Sequence, residues 1–241
     1  MCIRDSIPSS CEAANIIALN VSDSITGFTD LMNEKAEKLG MENTHFSNAH
    51  GLWAQQNYSS CKDMATLCEY AISKYQVFRD IVCLPSYHMA STSYHSDGTD
   101  IYNTNLMLDS MTDYYYSYAK GIKTGTLDSA GRCLASYAEY EGTTYLIVTM
   151  GAPMDKLEED VKKGEEDPDS IYGGDNVYYN LLDHINLYKW AFSSLVATDF
   201  VDKNSEVRDV KVSYGDGIDY ANLKPANGFT RLWPVDILSL I

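Results

Sequence analysis

Four consecutive residues, Lys123-Thr124-Gly125-Thr126, bring a cation, two hydroxyls and a glycine together inside the segment Lys120-Gly-Ile-Lys-Thr-Gly-Thr-Leu-Asp-Ser-Ala-Gly131. That set suits one task, holding a small anion against exposed backbone. The lysine supplies charge, the hydroxyls donate hydrogen bonds, and glycine, lacking a Cβ, lets a ligand approach the main chain. The plain alternative for an isolated triplet is a solvent-facing lysine and a turn glycine. Two apolar runs follow, Arg132 to Tyr140 and Thr143 to Gly151, alternating on either side of Glu141-Gly142. Alternation around a two-residue turn containing Gly signals a β-hairpin. The Lys123-Thr124-Gly125 triplet is therefore expected on or beside the strand that precedes this hairpin.

The elements that must position such a site come from a chain of 241 residues, enough for one large domain or one domain and part of a second. Apolar content of 45% supports a real core, and 18 basic against 34 acidic residues give a net charge of −16. That balance argues against nucleic acid, and against an anionic membrane surface, as a direct partner. The six cysteines form no C-x-x-C pair and no Cys/His cluster with zinc-site spacing. Cys61 and Cys68 are expected to share a helix face as small core residues. Disulfides are neither assigned nor excluded. The longest apolar runs are too short for a signal peptide or a membrane span. Both ends read as cut: the start matches no capped element, and Trp233 to Ile241 stops in an apolar run.

Taken in order, Ile7 to Leu19 reads as a loop turning into a helix, with Ser9 or Ser10 as its cap and Glu12 favouring the positive end of the helix dipole. An amphipathic helix is expected from about Ser24 to Leu39, with Ile25, Phe28, Leu31, Met32 and Leu39 as its stripe and Gly40 as its stop. Asn43 to Gln56 is loop. Ser60, with Asp63 three residues on, reads as a variant capping box opening a helix whose face is Met64, Leu67, Cys68, Ala71 and Ile72. A helical turn near Val77 to Val82, a polar β-like stretch from Tyr87 to Asn105 and a short helix from Asn105 to Met111 follow. The run Asp113-Tyr-Tyr-Tyr-Ser-Tyr118 reads as a packed surface ledge. Met154 to Asp175, acidic and holding Pro168, reads as a solvated loop insertion. Asn176 to Val196 is expected to be a long helix. Beyond it Glu206 to Tyr214 alternates, Gly215-Asp-Gly217 turns, and Tyr220 to Leu223 returns.

Three of these pieces, in chain order, resemble the penicillin-recognising serine enzymes with their S-x-x-K, S-x-N and K-T-G motifs. They are the Pro8-Ser-Ser-Cys-Glu-Ala-Ala-Asn15 loop–helix, the Lys-Thr-Gly-Thr strand before a hairpin, and a β segment after the last helix. The D-alanyl-D-alanine carboxypeptidase branch, the low-molecular-weight penicillin-binding proteins, is the most similar. The Phe46-Ser-Asn-Ala-His-Gly-Leu52 loop, Tyr58-Ser-Ser-Cys-Lys-Asp-Met-Ala65 and Gly121 to Thr126 through Ala130-Gly131 carry the same resemblance. It implies an α+β fold: a β-lactamase/transpeptidase-like antiparallel sheet flanked by helices over residues 7–198, with residues 199–241 beginning a small β-rich domain. It implies acyl transfer in which a serine attacks the carbonyl between two D-alanines. Ser9 would relay a proton and Lys123 would provide positive potential. Thr124 and Thr126 would bind the substrate carboxylate, and Gly125 would allow close approach. No metal or cofactor is implied. The implied partners are peptidoglycan stem peptides ending in D-Ala-D-Ala and β-lactams, outside the cytoplasm, with a membrane reached only through an anchor that this chain does not carry.

Two departures qualify the resemblance. S-x-N aligns with Ser9-Ser10-Cys11, so a thiol stands where an amide is usual, meaning either altered substrate contacts or a tolerated variant. S-x-x-K belongs upstream of that loop, where the chain has almost nothing. Ser59-Ser-Cys-Lys62 and Ser117-Tyr-Ala-Lys120 have the spacing but not the order. The nucleophile and its lysine are expected to be missing, and residues 1–241 alone to be inactive. The family's extra arginine after the hairpin has no match near the acidic insertion. His50 is expected to order its loop. A non-catalytic peptidoglycan- or β-lactam-binding relative and a serine β-lactamase remain the alternatives.

Overall fold

The computed structural model describes residues 7–93, 96–174, 176–201, 205–211 and 220–234. The chain divides into two compact units, Met1–Tyr188 and Lys189–Ile241. The first opens with α1 (Cys11–Ser22) and α2 (Ile25–Lys38), which pack on each other. Of the two candidate caps it is Ser10 that closes α1, accepting from the Ala13 N–H at 3.3 Å, and Ser24 caps α2 through the Gly27 N–H. Gly40, at φ 73°, stops α2 as expected, while Met41 N–H reaches back to the Ala36 carbonyl at 3.0 Å. Thr29 and Ala36 are buried on the same face as Ile25, Phe28, Met32 and Leu39 of the expected stripe, which are partly buried, and only Leu31 departs from it, at 45% exposure.

A loop from 43 to 59 leads to α3 (Cys61–Lys74) and α4 (Gln76–Val82). Ser60 caps α3 through the Asp63 N–H, but Asp63 does not complete a capping box. Its buried carboxylate instead accepts from Asn43 N–H at 2.7 Å and Thr44 Oγ1 at 2.8 Å, tying the loop to the helix. Burial pushes the Asp63 carboxyl up, yet the hydrogen bonds from Thr44 and Asn43 outweigh it and hold the group below its ordinary value. Of the two cysteines expected on one face of α3, only Cys68 is buried. Cys61, at the exposed first position, lies outside the packed face.

The polar stretch after α4 forms a hairpin, β1 (Ser86–Met89) with β2 (Thr99–Tyr102), and only Leu106–Leu108 becomes a short 3₁₀ turn. The main sheet is antiparallel, in the order β3 (Ala119–Leu127), β4 (Gly131–Tyr140), β5 (Thr143–Ala152). Its hairpin turns at Glu141 (φ 48°) and Gly142 (φ 79°), the paired positive φ values that a tight two-residue connection requires. Successive β4 side chains face opposite ways, so the sheet is covered on both faces. Tyr137 joins Cys68, Val82 and Ile122 in a core that α3 and α4 close, with Ile72, Phe78, Ala135 and Leu146 packed against it. On the other face Ser136 meets His184 and Tyr188 of α6 (Tyr179–Ser194).

Gly121 makes the contact between β3 and α4 possible: it sits at φ 143°, and a Cβ there would lie 2.8 Å from Val82 Cγ2. Gly121→Ala is expected to lower stability by about 2 kcal/mol, from backbone strain plus overpacking. Urea unfolding would register this as a lower midpoint, and an unchanged midpoint would contradict it.

Two expectations need correction. The tyrosine run is not a surface ledge throughout, because Tyr114 and Tyr116 are buried while Tyr115 and Tyr118 are exposed. Tyr116 stacks on Tyr188, and Tyr114 takes the Tyr178 N–H at 3.0 Å. The acidic insertion is not wholly loop either. It contains α5 (Glu158–Glu166), held by buried Asp160, which accepts from Lys163 Nζ at 2.6 Å and the Tyr179 hydroxyl at 2.8 Å.

In the second unit, β6 (Leu195–Val201) pairs antiparallel with β9 (Phe229–Pro234), and β7 (Arg208–Lys211) with β8 (Tyr220–Leu223). The expected Gly215–Gly217 turn lies outside the described residues. No described helix is long and apolar enough to cross a membrane.

Candidate active site

Lys123, Thr124, Gly125 and Thr126 all lie on β3. This strand is the edge of its sheet: among the described residues it pairs only with β4, leaving its outer row of backbone groups available to an extended ligand. Gly125 faces little, since a Cβ there would meet only Cys133 Cβ, at 3.8 Å. Lys123 is half-buried and makes no ion pair among the described residues. Its ammonium donates to Thr104 Oγ1 at 3.2 Å and to the Thr124 carbonyl at 2.9 Å. Burial lowers its pKa to about 8. The result is a cation close to its own titration point, partnered by neutral oxygens on an open strand.

Thr104 was not anticipated. Its Oγ1 lies 2.5 Å from Thr124 Oγ1 as well as next to Lys123. The only hint in the sequence is the Asn103-Thr104-Asn105 triplet, in which two amides that cap and bridge locally flank a hydroxyl. Arg132, also unanticipated, is the second residue of β4 and lies directly opposite Thr126. It is buried, with its guanidinium 4.0 Å from the Tyr178 ring and Nη2 3.5 Å from Asn176 Oδ1.

Ser9 and Cys11 stand at the other candidate element. Ser10 takes the capping role, which leaves Ser9 exposed, at φ 59°, in the turn between buried Ile7 and α1. A serine held in the left-handed region is a strained backbone position of the kind found at functional turns. Cys11 is the half-buried first residue of α1 with a free thiol. No direct hydrogen bond joins Ser9 or Cys11 to Lys123, Thr124 or Thr126 among the described residues. In the 43–59 loop, His50 Nδ1 accepts from the Leu52 N–H at 3.2 Å, beside Asn48, which accepts from the Gly51 N–H and donates to the Leu52 carbonyl. His50 and Asn48 line a groove of about 340 Å³ together with Met32, Phe46 and Asn57.

An antiparallel sheet between helices, with Lys-Thr-Gly on its edge strand, is the arrangement of the penicillin-recognising class. Residues 4–154 match the family model for D-alanyl-D-alanine carboxypeptidase, peptidase family S11. The chain belongs to that family. It is 30% identical over 154 residues to the D-alanyl-D-alanine carboxypeptidase DacF of Bacillus subtilis, covering 62% of this chain and 36% of that one. It is 27% identical over 210 residues to DacD of Escherichia coli, covering 85% and 45%. The chain thus spans less than half the length of these relatives. Among solved structures, the carboxypeptidase DacD of Francisella tularensis superposes with a TM-score of 0.73 at 18% identity, covering 98% of this chain and 62% of that one, which shows the fold. A Streptomyces K15 DD-transpeptidase variant in which a serine is replaced by alanine matches with a TM-score of 0.63 at 25% identity, covering 79% and 66%. Another variant of that enzyme replaces a cysteine two positions further along.

Proposed function

We propose that the chain forms the carboxylate-binding side of a serine-type D-Ala-D-Ala carboxypeptidase that trims peptidoglycan stem peptides through an acyl-enzyme. The observation that carries this reading is β3: an edge strand with a half-buried lysine that has no counter-charge among the described residues, two threonine hydroxyls and a glycine with space above it. An extended peptide can pair along the strand's free edge while its terminal carboxylate meets Thr124 and Thr126. Gly125 lets the peptide backbone approach. Lys123 supplies positive potential for the substrate and for the anionic transition state, and the Thr126 N–H serves as one oxyanion donor. Ser9 relays a proton to the leaving amine.

Cys11 sits two residues after Ser9, the spacing of the serine and cysteine replaced in the Streptomyces K15 variants. That favours a tolerated variant of the S-x-N element over a broken one. The nucleophilic serine and its lysine belong to a segment outside residues 1–241, because neither Ser59 nor Ser117 has the right place in the order. Residues 199–241 begin a C-terminal β-rich domain, and the protein acts outside the cytoplasm.

A fluorescent penicillin tests the reading. Residues 1–241 are expected to take no covalent label, and the whole protein carrying the nucleophile segment is expected to label. A labelled band on residues 1–241 would overturn the assignment of the nucleophile elsewhere. An unlabelled whole protein that still retains a D-Ala-D-Ala peptide would favour a binding-only relative. Faster hydrolysis of a β-lactam than release of D-alanine would make it a β-lactamase.

A further inference from the structure

We propose that Thr104 is a positioning residue of this site, holding the Lys123 ammonium and turning the Thr124 hydroxyl outward as a donor to an anionic ligand. The proposal rests on the reading of β3 as a carboxylate-binding wall. An ammonium has three donors and no lone pair, so at the 3.2 Å contact Lys123 donates and Thr104 Oγ1 accepts. The Thr104 hydroxyl then has its own proton to place, and Thr124 Oγ1 lies 2.5 Å away. With that proton on Thr124, the Thr124 hydroxyl accepts from Thr104 and must direct its own proton elsewhere. The direction of donation runs from the lysine through two hydroxyls to whatever lies beyond the strand edge. Without Thr104 the Thr124 proton has no imposed direction.

The surroundings of Thr104 fit a presenting role. Thr104 is exposed, yet both neighbours are buried, Asn103 at 8% exposure and Asn105 at 0%. Asn103 Nδ2 donates to the Leu84 carbonyl at 2.9 Å, and its backbone N–H donates to the Pro85 carbonyl at 2.8 Å. Its Oδ1 accepts from the Asn105 N–H at 2.9 Å, and Asn105 Oδ1 accepts from the Met107 N–H at 3.2 Å. Two anchored amides thus hold the backbone on either side of a single outward hydroxyl, so Thr104 reaches β3 from a segment that is not free to drift.

The test uses the chain with Thr104→Val, which keeps the shape and removes the hydroxyl, and Thr104→Ser, which keeps the hydroxyl. Both substitutions fall on an exposed side chain, and far-ultraviolet circular dichroism checks the fold. NMR titration of the lysine ε-carbons follows Lys123, and N-acetyl-D-alanyl-D-alanine is the binding probe. Thr104→Val is expected to lower the Lys123 titration midpoint by about one unit and to weaken dipeptide binding about tenfold, with Thr104→Ser near the parent in both. An unmoved Lys123 midpoint in Thr104→Val overturns the proposal, and so does unchanged dipeptide affinity. If Lys123 shifts but the parent chain does not bind the dipeptide, the carboxylate wall falls, and with it the outward direction of Thr124. Thr104 as the holder of Lys123 would then stand.

Discussion

Lys123→Met is expected to give a protein more stable than its parent and at least about a hundredfold slower to be acylated by a β-lactam. The rate effect follows from the role proposed for Lys123, a cation beside a site where negative charge would develop, the loss of which typically costs two orders of magnitude or more. The stability effect has the opposite sign. Burial holds Lys123 at about 8 in the folded protein, against an ordinary lysine value near 10.5. Folding at neutral pH must therefore carry a charged amine into a poorer environment. That penalty is fully present below pH 8 and disappears as the pH rises from about 8 to 10.5. After discounting for partial exposure, it amounts to roughly 2 kcal/mol. Chemical denaturation at pH 7 and pH 10 should show the parent gaining on the variant as pH rises. Acylation of the whole protein by fluorescent penicillin reads the rate. A variant that is destabilised at pH 7, or acylated at the parental rate, would remove Lys123 from the role given to it.

Acidification from pH 7 to pH 4 is expected to remove roughly 3 kcal/mol of stability through His184 alone. The imidazole is fully buried between Ser136 Oγ, 2.7 Å from Nδ1, and Thr149 Oγ1, 3.0 Å from Nε2, and Ser136 also meets the Tyr188 hydroxyl at 2.8 Å. A neutral ring has one N–H and one lone pair, so one hydroxyl accepts, the other donates, and no charge is needed. Burial lowers its pKa to about 4 from the ordinary 6.5. The unfolded chain therefore binds a proton between those values that the folded chain refuses. The contribution is complete above about 6.5 and falls away as pH drops toward 4, by about 1.4 kcal/mol per unit. His184→Gln, which keeps a donor and an acceptor, should flatten the difference in urea stability between pH 7 and pH 4. Equal acid sensitivity in parent and variant would show that other groups carry it.

Some of this was legible from residue order and some was not. The β4–β5 hairpin could be read because its determinants are local: alternating side chains and a Glu141-Gly142 turn whose backbone takes positive φ at both positions. The placing of Lys123 to Thr126 on the preceding strand followed from it. Ser10 and Ser60 as caps, and Gly40 as a stop, are local in the same way. α5 escaped because its residues are charged on nearly every side. Its one inward group, Asp160, is satisfied by Tyr179, nineteen positions on. Thr104 and Thr124 are twenty residues apart, and Ser136 and His184 forty-eight. No periodicity announces such pairs, since a buried polar side chain matched across the fold looks in sequence like any surface residue. The expected stripe of α2 held at Ile25, Phe28, Met32 and Leu39, which are partly buried, and missed at Leu31. Leu31 is apolar, but the face that packs carries Thr29 and Ala36, and small residues are what close packing selects.

The open margin of β3 has another consequence when nothing occupies it. A strand with one unpaired edge is a template for any other strand, including the same strand of a second copy, and proteins commonly guard such margins with a charged side chain. Lys123 stands on that margin with no counter-ion among the described residues, so two copies brought edge to edge would confront like charges. The cation proposed to draw a carboxylate to the strand thereby also makes it repellent to itself. Exchanging it for methionine removes the guard, and that variant is best followed by sedimentation at several concentrations before its greater stability is read as a property of the monomer.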